Sequence, residues 1–534
     1  MNKRVLVVFA LCVVSLGALS LRILSIDAGR YAEVGTYQSS RRVEISKSRG
    51  YIYDRNMTPM VNDTSFSALV MKPTISSLNF VRPFVGPEKL VSIKESFSTC
   101  NPYLLKLSSK VDAHSTGDVR VVEYKRRYAD KQYCTNLIGY LDSSGAGVSG
   151  IEKCYDSYLS SNSGILSAAF YVDARGNDLS GIDLEIVDDN YDSSAGVALT
   201  IDLKVQKVVE DSLDKYGIDS GCAIAMDPYT GAIRAMASRP SFNPLDVASS
   251  LNAPGSPLVN KALAAYPVGS TFKVVVSAAA LEKSLAYSEW TYSCTGGVDV
   301  SGTLINCFDG TAHGGLNMEN ALVHSCNSYF INLISDVGAE RVLSMAKKMG
   351  FGEPFLIASG MSSSAGNLPS TDTLSAPVAL ANLGFGQGEL LATPIQVATA
   401  FSAVANGGYF VSPYVYLGLV SPNLELSVNP QLKMDIKEKK KIMSKATSKT
   451  LSKMLESVVV ENEKGMPNSV SACGKTATAE TGVKGVCQTW FAGWYPAESP
   501  KLVIVIMKEN GRTGISDCGP VFKNIVDTLV DIES

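Results

Sequence analysis

Hydrophobic positions follow a different pattern in each part of the chain. After Lys3 and Arg4, Val5 to Leu21 carries no charge, and Ile23, Leu24 and Ile26 extend the run past Arg22. That length suits a membrane-spanning helix, with Arg22 reaching its charge to the interface. The other reading is a cleaved signal peptide, whose apolar stretch is usually shorter. As an anchor, its basic flank places the N-terminus inside and the bulk of the chain outside. From about Asp27 to Asn190 the apolar runs are short, β-branched and broken by Ser, Gly and Asp. This pattern predicts strands at 41–45 and 119–122 and short helices at 90–97 and 151–159, with no catalytic cluster.

The polar residues Asp188 to Ala195 predict a linker. Beyond it, 197–201 reads as a strand and 203–215 as a helix. Cys222–Met226 and Ala232–Ala237 read as a hairpin around the turn Asp227-Pro228-Tyr229-Thr230-Gly231. Two helical stretches, from about Asn317 to His324 and from Tyr329, enclose Ser325-Cys326-Asn327. This is either a loop presenting Ser325 and Asn327 to a cleft or a plain helix cap. Gly384-Phe385-Gly386-Gln387-Gly388 reads as a structural turn before a helix begun by Thr393-Pro394. Val470 to Glu480 reads as a strand, 490–495 and 502–507 as a hairpin, and the chain ends in a helix. Strands early and late with helices between them predict one antiparallel sheet built from both ends of the region.

The densest candidate chemistry lies at Tyr266-Pro267-Val268-Gly269-Ser270-Thr271-Phe272-Lys273. The proline and glycine bend the chain, and Ser270 then falls where a helix begins. Lys273, three residues on, shares its face. Val274 to Leu281 is apolar nearly all round, which predicts a buried helix. Burial lowers an amine's pKa, and a neutral lysine can take the proton of a serine nucleophile. The plainer reading is a surface-reaching lysine beside an ordinary helix-cap serine.

Composition narrows the classes. A chain of 534 residues exceeds one ordinary core. A net charge of −3 gives no basic field for nucleic acid, so no nucleic-acid partner is expected. The three histidines, His114, His313 and His324, argue against a histidine metal cage, and no metal or cofactor is expected. Among eleven cysteines, Cys294 and Cys307 flank a glycine-rich stretch; they are either a disulfide pair or free buried thiols.

Ser270-Thr271-Phe272-Lys273, Ser325-Cys326-Asn327 and Lys475-Thr476-Ala477 stand in the order of the S-x-x-K, S-x-N and K-[ST]-G motifs. Together they resemble the penicillin-recognising serine acyl-transferases. Arg49-Gly50-Tyr51-Ile52-Tyr53-Asp54-Arg55-Asn56 is similar to the signature that opens the non-catalytic domain of class B penicillin-binding proteins. Gly150-Ile151-Glu152-Lys153 with Tyr155-Asp156, and Asp173-Ala174-Arg175-Gly176, resemble later landmarks of that domain. Gly386-Gln387-Gly388 with Thr393-Pro394 and Gln396 resembles a stretch of the transpeptidase domain.

The resemblance implies an α+β penicillin-binding transpeptidase fold: a central antiparallel sheet with flanking helices, plus an all-helical subdomain. A mainly β pedestal and one transmembrane helix precede it. The expected boundaries are 1–26 for the anchor, 27–190 for the pedestal and 195–534 for the transpeptidase domain. The implied activity is cross-linking of peptidoglycan stem peptides through a serine acyl-enzyme, with β-lactams as inhibitors. A D,D-carboxypeptidase, a β-lactamase or β-lactam sensor, and a non-catalytic scaffold are the alternatives. Ser270 is the implied nucleophile, Lys273 the base and Ser325 a proton relay. Asn327 would hold the peptide, and Lys475, Thr476 and Thr478 its terminal carboxylate. Backbone N–H groups of Ser270 and Thr478 would form the oxyanion hole. The implied partners are stem peptides, β-lactams and membrane-embedded cell-wall synthesis proteins. Ala477, where the family usually has glycine, is the departure; its methyl is expected to narrow the cleft or to push the acyl-enzyme outward.

Overall fold

The computed structural model describes residues 3–27, 40–97, 102–171, 183–429, 439–483 and 485–533. The Asp173-Ala174-Arg175-Gly176 landmark lies outside them. The chain divides into two compact units, one of residues 1–49, 62–127 and 162–193 and one of residues 50–61, 128–161 and 194–534. The expected single cut between 190 and 195 therefore gives way to an interleaved division. Residues 50–61 join the second unit because the strand Tyr51–Tyr53 pairs in parallel with Gly196–Leu199. Asp54 fixes the turn that follows: one carboxylate oxygen accepts from the N–H groups of Asn56 and Thr58, both at 2.8 Å, and the other from Leu203 at 3.2 Å.

In the first unit, the N-terminal helix Lys3–Asp27 presents its apolar side chains to the outside and is long and apolar enough to cross a membrane. Thr64–Met71 is the middle strand of a three-stranded antiparallel sheet, between Tyr103–Lys106 and Val119–Arg126. Its alternate residues serve two cores. Ala68 and Val70 pack with Ile45, Leu166 and Phe170, while Leu69 and Met71 pack with Val81, Ile93 and Leu105. Burial on both faces explains its continuous apolar run. A second three-stranded sheet has Ile165–Tyr171 at its centre, flanked by Ser40–Lys47 and Glu185–Asp189.

The second unit is built on five antiparallel strands. In chain order these are β1 (Gly221–Met226), β2 (Ile233–Arg239), β3 (Cys473–Glu480), β4 (Cys487–Tyr495) and β5 (Leu502–Gly511). Across the sheet the order is β2-β1-β5-β4-β3, so the late strands add to the early hairpin and β3 is an edge. Ala223, Ala225, Ile504 and Ile506 face one core with helices α1 (Leu203–Lys215) and α7 (Gly519–Glu533). Cys222, Ile224, Met226, Val503 and Val505 face the other. That second core holds α2 (Lys273–Lys283), α3 (Met318–Val323), α4 (Asn327–Val337), α5 (Pro394–Ala405) and α6 (Lys445–Val460). Helix α5 starts on a capping box: Thr393 Oγ1 accepts from the Gln396 N–H, and Gln396 Oε1 accepts from the Thr393 N–H.

The helical region also carries a small β insert that the sequence pattern did not predict. Tyr292–Cys294 pairs with Gly314–Leu316, and between them Gly297–Val300 and Thr303–Asn306 form a hairpin. Cys294 and Cys307 are free thiols with sulfurs 3.7 Å apart, so the disulfide reading is not met.

Candidate active site

Helix α2 is preceded by one 3-10 turn, Gly269–Phe272, which carries Ser270. Its N-cap position falls to Val268, so the expected cap role of Ser270 is replaced by a place inside the turn. The turn is fixed from several sides. Tyr266 and Pro267 pair with Ala392 and Leu391, and the Trp490 indole donates to the Pro267 carbonyl at 3.0 Å. The Gly269 N–H donates to the Gly386 carbonyl at 3.0 Å. Gly386, at φ +83°, lies so close that an added Cβ would meet the Gly269 carbonyl oxygen at 2.0 Å. The glycine-rich turn at 384–388 is thus the support of the serine turn. Gly269 itself has φ +53°, and a Cβ there would lie 3.0 Å from Ala479 Cβ and 3.4 Å from Ala477 Cβ. Ser270 is therefore docked on the edge strand β3.

Lys273 is 0 % exposed. Its Nζ lies 2.6 Å from the Ser325 carbonyl, 2.8 Å from Asn327 Oδ1 and 3.2 Å from Ser325 Oγ, with the Phe330 ring centroid at 5.5 Å. Burial, and then the charge of Lys475, push its pKa well below the usual lysine value. A neutral amine has two N–H donors and one lone pair. Its donors suit the Ser325 carbonyl and Asn327 Oδ1, which leaves the lone pair for a hydroxyl. The surface-reaching reading of Lys273 does not hold.

Ser325 and Asn327 are brought to Lys273 by a strained loop. Ser325 has φ +52°, rare for a residue with a side chain. The cap of α4 is neither of the expected residues: Cys326 Sγ accepts from the Tyr329 N–H at 3.4 Å. Ser325 and Asn327 are thereby spared for the cleft. Asn327 Nδ2 also donates to the Asn306 carbonyl in the β insert, at 3.1 Å.

Along β3, Lys475, Ala477 and Ala479 are buried, and Thr476 and Thr478 are half-exposed. Lys475 is 1 % exposed, donates to the Thr476 carbonyl at 3.0 Å, and is pushed down to about 7 by burial. Thr478 Oγ1 accepts from the Gly514 N–H at 3.2 Å, which aims the hydroxyl. The Ala477 methyl is 3 % exposed and sits in the core beneath the serine turn. It fills space under Gly269, which differs from the expectation that it would stand in the cleft.

Seven side chains singled out from the sequence thus gather around one edge strand and two turns. Residues 221–527, more than half of the chain, match the family model of the penicillin-binding protein transpeptidase domain. The chain is a class B penicillin-binding protein. It is 30% identical to stage V sporulation protein D of Bacillus subtilis over 92% of this chain and 78% of that one. It is 29% identical to the peptidoglycan D,D-transpeptidase PbpA of Mycobacterium tuberculosis strain H37Rv, over 63% of this chain and 73% of that one. The solved ceftriaxone acyl-enzyme complex of penicillin-binding protein A from M. tuberculosis superposes with a TM-score of 0.61 at 23% identity, covering 73% of this chain and 90% of that one. The penicillin-binding protein described here shares its fold. Residues that the sequence pattern alone left without a site role are Trp490, Asn306 and Cys326. Trp490 and Asn306 act through contacts distant in sequence, whereas Cys326 caps a helix three residues on and, inside the S-x-N motif, stood where a motif could have drawn attention to it.

Proposed function

We propose that this penicillin-binding protein is a peptidoglycan D,D-transpeptidase, acylated at Ser270 by stem peptides and by β-lactams. The observation that carries the reading is the fully buried Lys273, shared by Ser325 and Asn327 one turn after a serine docked on the strand of Lys475.

Ser270 Oγ attacks the carbonyl carbon between the two terminal D-alanines while its proton passes to the neutral Lys273 Nζ. Backbone N–H groups of Ser270 and Thr478 receive the oxyanion, each such donor worth about 2.7–4 kcal/mol of barrier. The peptide C–N bond then breaks, and the proton travels through the Ser325 hydroxyl to the departing amine. An amine of a neighbouring stem attacks the ester, forms the cross-link and frees Ser270. Asn327 holds the peptide by its amide.

Lys475, Thr476 and Thr478 bind the terminal carboxylate through charge and hydroxyl donors. The two lysines compete for charge. Lys273 is depressed partly by a charged Lys475, yet Lys475 is itself pushed to about 7. A bound carboxylate favours the ammonium form of Lys475, which in turn drives Lys273 toward the neutral base. Substrate binding and base activation are thereby linked.

The N-terminal helix is a single-pass anchor with its basic end in the cytoplasm and the transpeptidase domain outside. Residues 62–127 and 162–193 of the first unit serve as a pedestal. Membrane-embedded cell-wall synthesis proteins are the partners such an anchor brings within reach. Intact mass spectrometry after benzylpenicillin treatment tests the reading. A single covalent adduct on the wild-type chain, lost in Ser270→Ala, is expected. A chain that takes no adduct at any dose would show a scaffold.

A further inference from the structure

A buried ion pair behind the serine turn takes no part in the acyl-transfer chemistry. Lys261 is 2 % exposed. Its Nζ donates to Glu509 Oε2 at 2.5 Å and to Ser220 Oγ at 2.8 Å. The Ser220 hydroxyl donates to the same Glu509 oxygen at 2.6 Å. Ser220 directly precedes β1, and Glu509 lies near the end of β5. The Glu509 N–H donates to the Ser220 carbonyl at 2.9 Å, so the acceptor of the pair is fixed in the central sheet.

Lys261 opens the stretch 261–266 that leads into the serine turn. Its own N–H donates to Ser238 Oγ on β2 at 3.0 Å. At the other end of the stretch, Tyr266 faces the same carboxylate. Burial pushes the pKa of its hydroxyl up, and Cys222 and Glu509 push it further. Burial works against the charge of Glu509 in turn. The hydrogen bonds from Lys261 and Ser220, the Lys261 charge and the Tyr266 hydroxyl outweigh it, and the carboxyl is held below its usual value. The Tyr266 ring meets Trp490 edge-on, with centroids 6.4 Å apart, and the Trp490 indole holds the Pro267 carbonyl. Ser270 follows Tyr266 by four residues. Taking two charges out of water is costly, and apolar residues of similar volume often serve stability as well or better. Stability alone therefore does not account for this pair, whereas its directed bonds account for where the lead-in stretch stands.

We propose that Glu509 is a positioning residue for acylation: holding Lys261 at one end and Tyr266 at the other, it sets the course of 261–266 and so the place of Ser270 beside Lys273. Glu509 exchanges no proton with substrate and acts only through the lead-in stretch and the serine turn. The role in acylation rests on the active-site reading above; the hold on 261–266 does not.

The test uses the full-length chain in detergent. Glu509→Gln keeps the size of the side chain and removes its charge. In stopped-flow acylation by a chromogenic cephalosporin, the saturating rate is expected to fall at least ~10-fold, since small misplacements of a nucleophile are costly. The half-saturating concentration should change less than about threefold, because the carboxylate-binding residues lie on β3. Tyr266→Phe removes one hydroxyl and should lower the saturating rate about threefold. Added to Glu509→Gln it should cost less than about twofold more, because both changes break one contact. Hydrogen exchange gives a readout without acylation: the Gly269 amide, bonded to Gly386, should exchange at least ~10-fold faster in Glu509→Gln, with the amides of β4 unchanged. Where Glu509→Gln folds poorly, Tyr266→Phe leaves the ion pair in place and still decides. Saturating rates unchanged in the variants that fold, or losses confined to the half-saturating concentration, would overturn the positioning role. So would losses that multiply in the double variant. Exchange unchanged at Gly269 would refute the hold on the lead-in stretch. An unaltered chain that takes no penicillin adduct, with exchange at Gly269 quickened by Glu509→Gln, keeps that hold and refutes the transpeptidase reading instead.

Discussion

The serine turn is held to its surroundings by main chain and core, while the Ser325 loop adds side-chain contacts to its main-chain bonds, from the Ser325 N–H to the Leu322 carbonyl at 3.2 Å and from the Cys326 N–H to the Ala321 carbonyl at 2.9 Å. Gly269 donates to Gly386, Pro267 accepts from Trp490, and the turn continues into an apolar helix. Across Lys273, Ser325 sits at a positive φ, and the cap of the next helix is a sulfur that belongs to a four-residue cluster. Two partners of one lysine are thus placed by different means. A main-chain scaffold is fixed once the domain folds, whereas a cluster of free thiols answers to redox state. The nucleophile side should be insensitive to thiol oxidants, and the Ser325 side should not.

The largest expected effect comes from breaking the main-chain side. In Gly386→Ala the new Cβ would stand 2.0 Å from a backbone oxygen, at φ +83°. Left-handed strain and overpacking together cost about 3–5 kcal/mol. Thermal unfolding should shift strongly downward and penicillin labelling should fall. Gly388→Ala is the control, because its Cβ meets only the Asn382 side chain, at 3.3 Å. Equal losses in the two variants would show that the Gly386 contact does not set the serine turn.

The two sides also differed in how legible they were. Pro267, Gly269, Ser270 and Lys273 lie within seven residues, so local rules place the serine and lysine on one helical face. The late strands were readable from apolar runs on either side of Pro496 and Pro500, and the terminal helix from the stripe of Val521, Phe522, Ile525 and Val526. The Ser325 side depends on residues up to 32 positions apart, from Cys294 to Cys326. Three cysteines and one histidine at unfamiliar spacing read as a possible pair and a spare, because only the β insert folds them onto one point. Its strands, three or four residues each, are too short to show a period. The division of the chain was hidden for a similar reason: residues 50–61 are close in sequence to one unit and pair with a strand of the other.

A smaller effect sharpens the comparison through pH. Lys475 is pushed to about 7, so its ammonium is lost as pH rises through neutrality, and with it the partner for an anionic substrate. Lys273 is depressed well below the usual lysine value, so it turns neutral with rising pH before an ordinary lysine would. The kcat/KM for acylation by penicillin reports groups of the free enzyme. It should rise on the acid side with Lys273 and fall above about pH 7 with Lys475. Lys475→Arg keeps its charge and should remove the falling limb. A wild-type profile flat from about pH 6 to 9 would refute the assignment.

The smallest expected effect concerns the one motif position that departs from the family. The Ala477 methyl packs under Gly269, 3 % exposed, and belongs to the main-chain side of the comparison. Ala477→Gly removes about one buried methyl, worth ~0.8 kcal/mol, and frees a strand residue at a further cost of about 0.5–1 kcal/mol. Stability should drop by roughly 1–2 kcal/mol in denaturant titration. The acylation rate should change by less than about threefold, because the methyl lies beneath the serine and not in the path of the substrate. An acylation rate raised tenfold or more, at unchanged stability, would place the methyl in the cleft after all. The serine turn would then owe its position to Gly386 and Trp490 without help from β3.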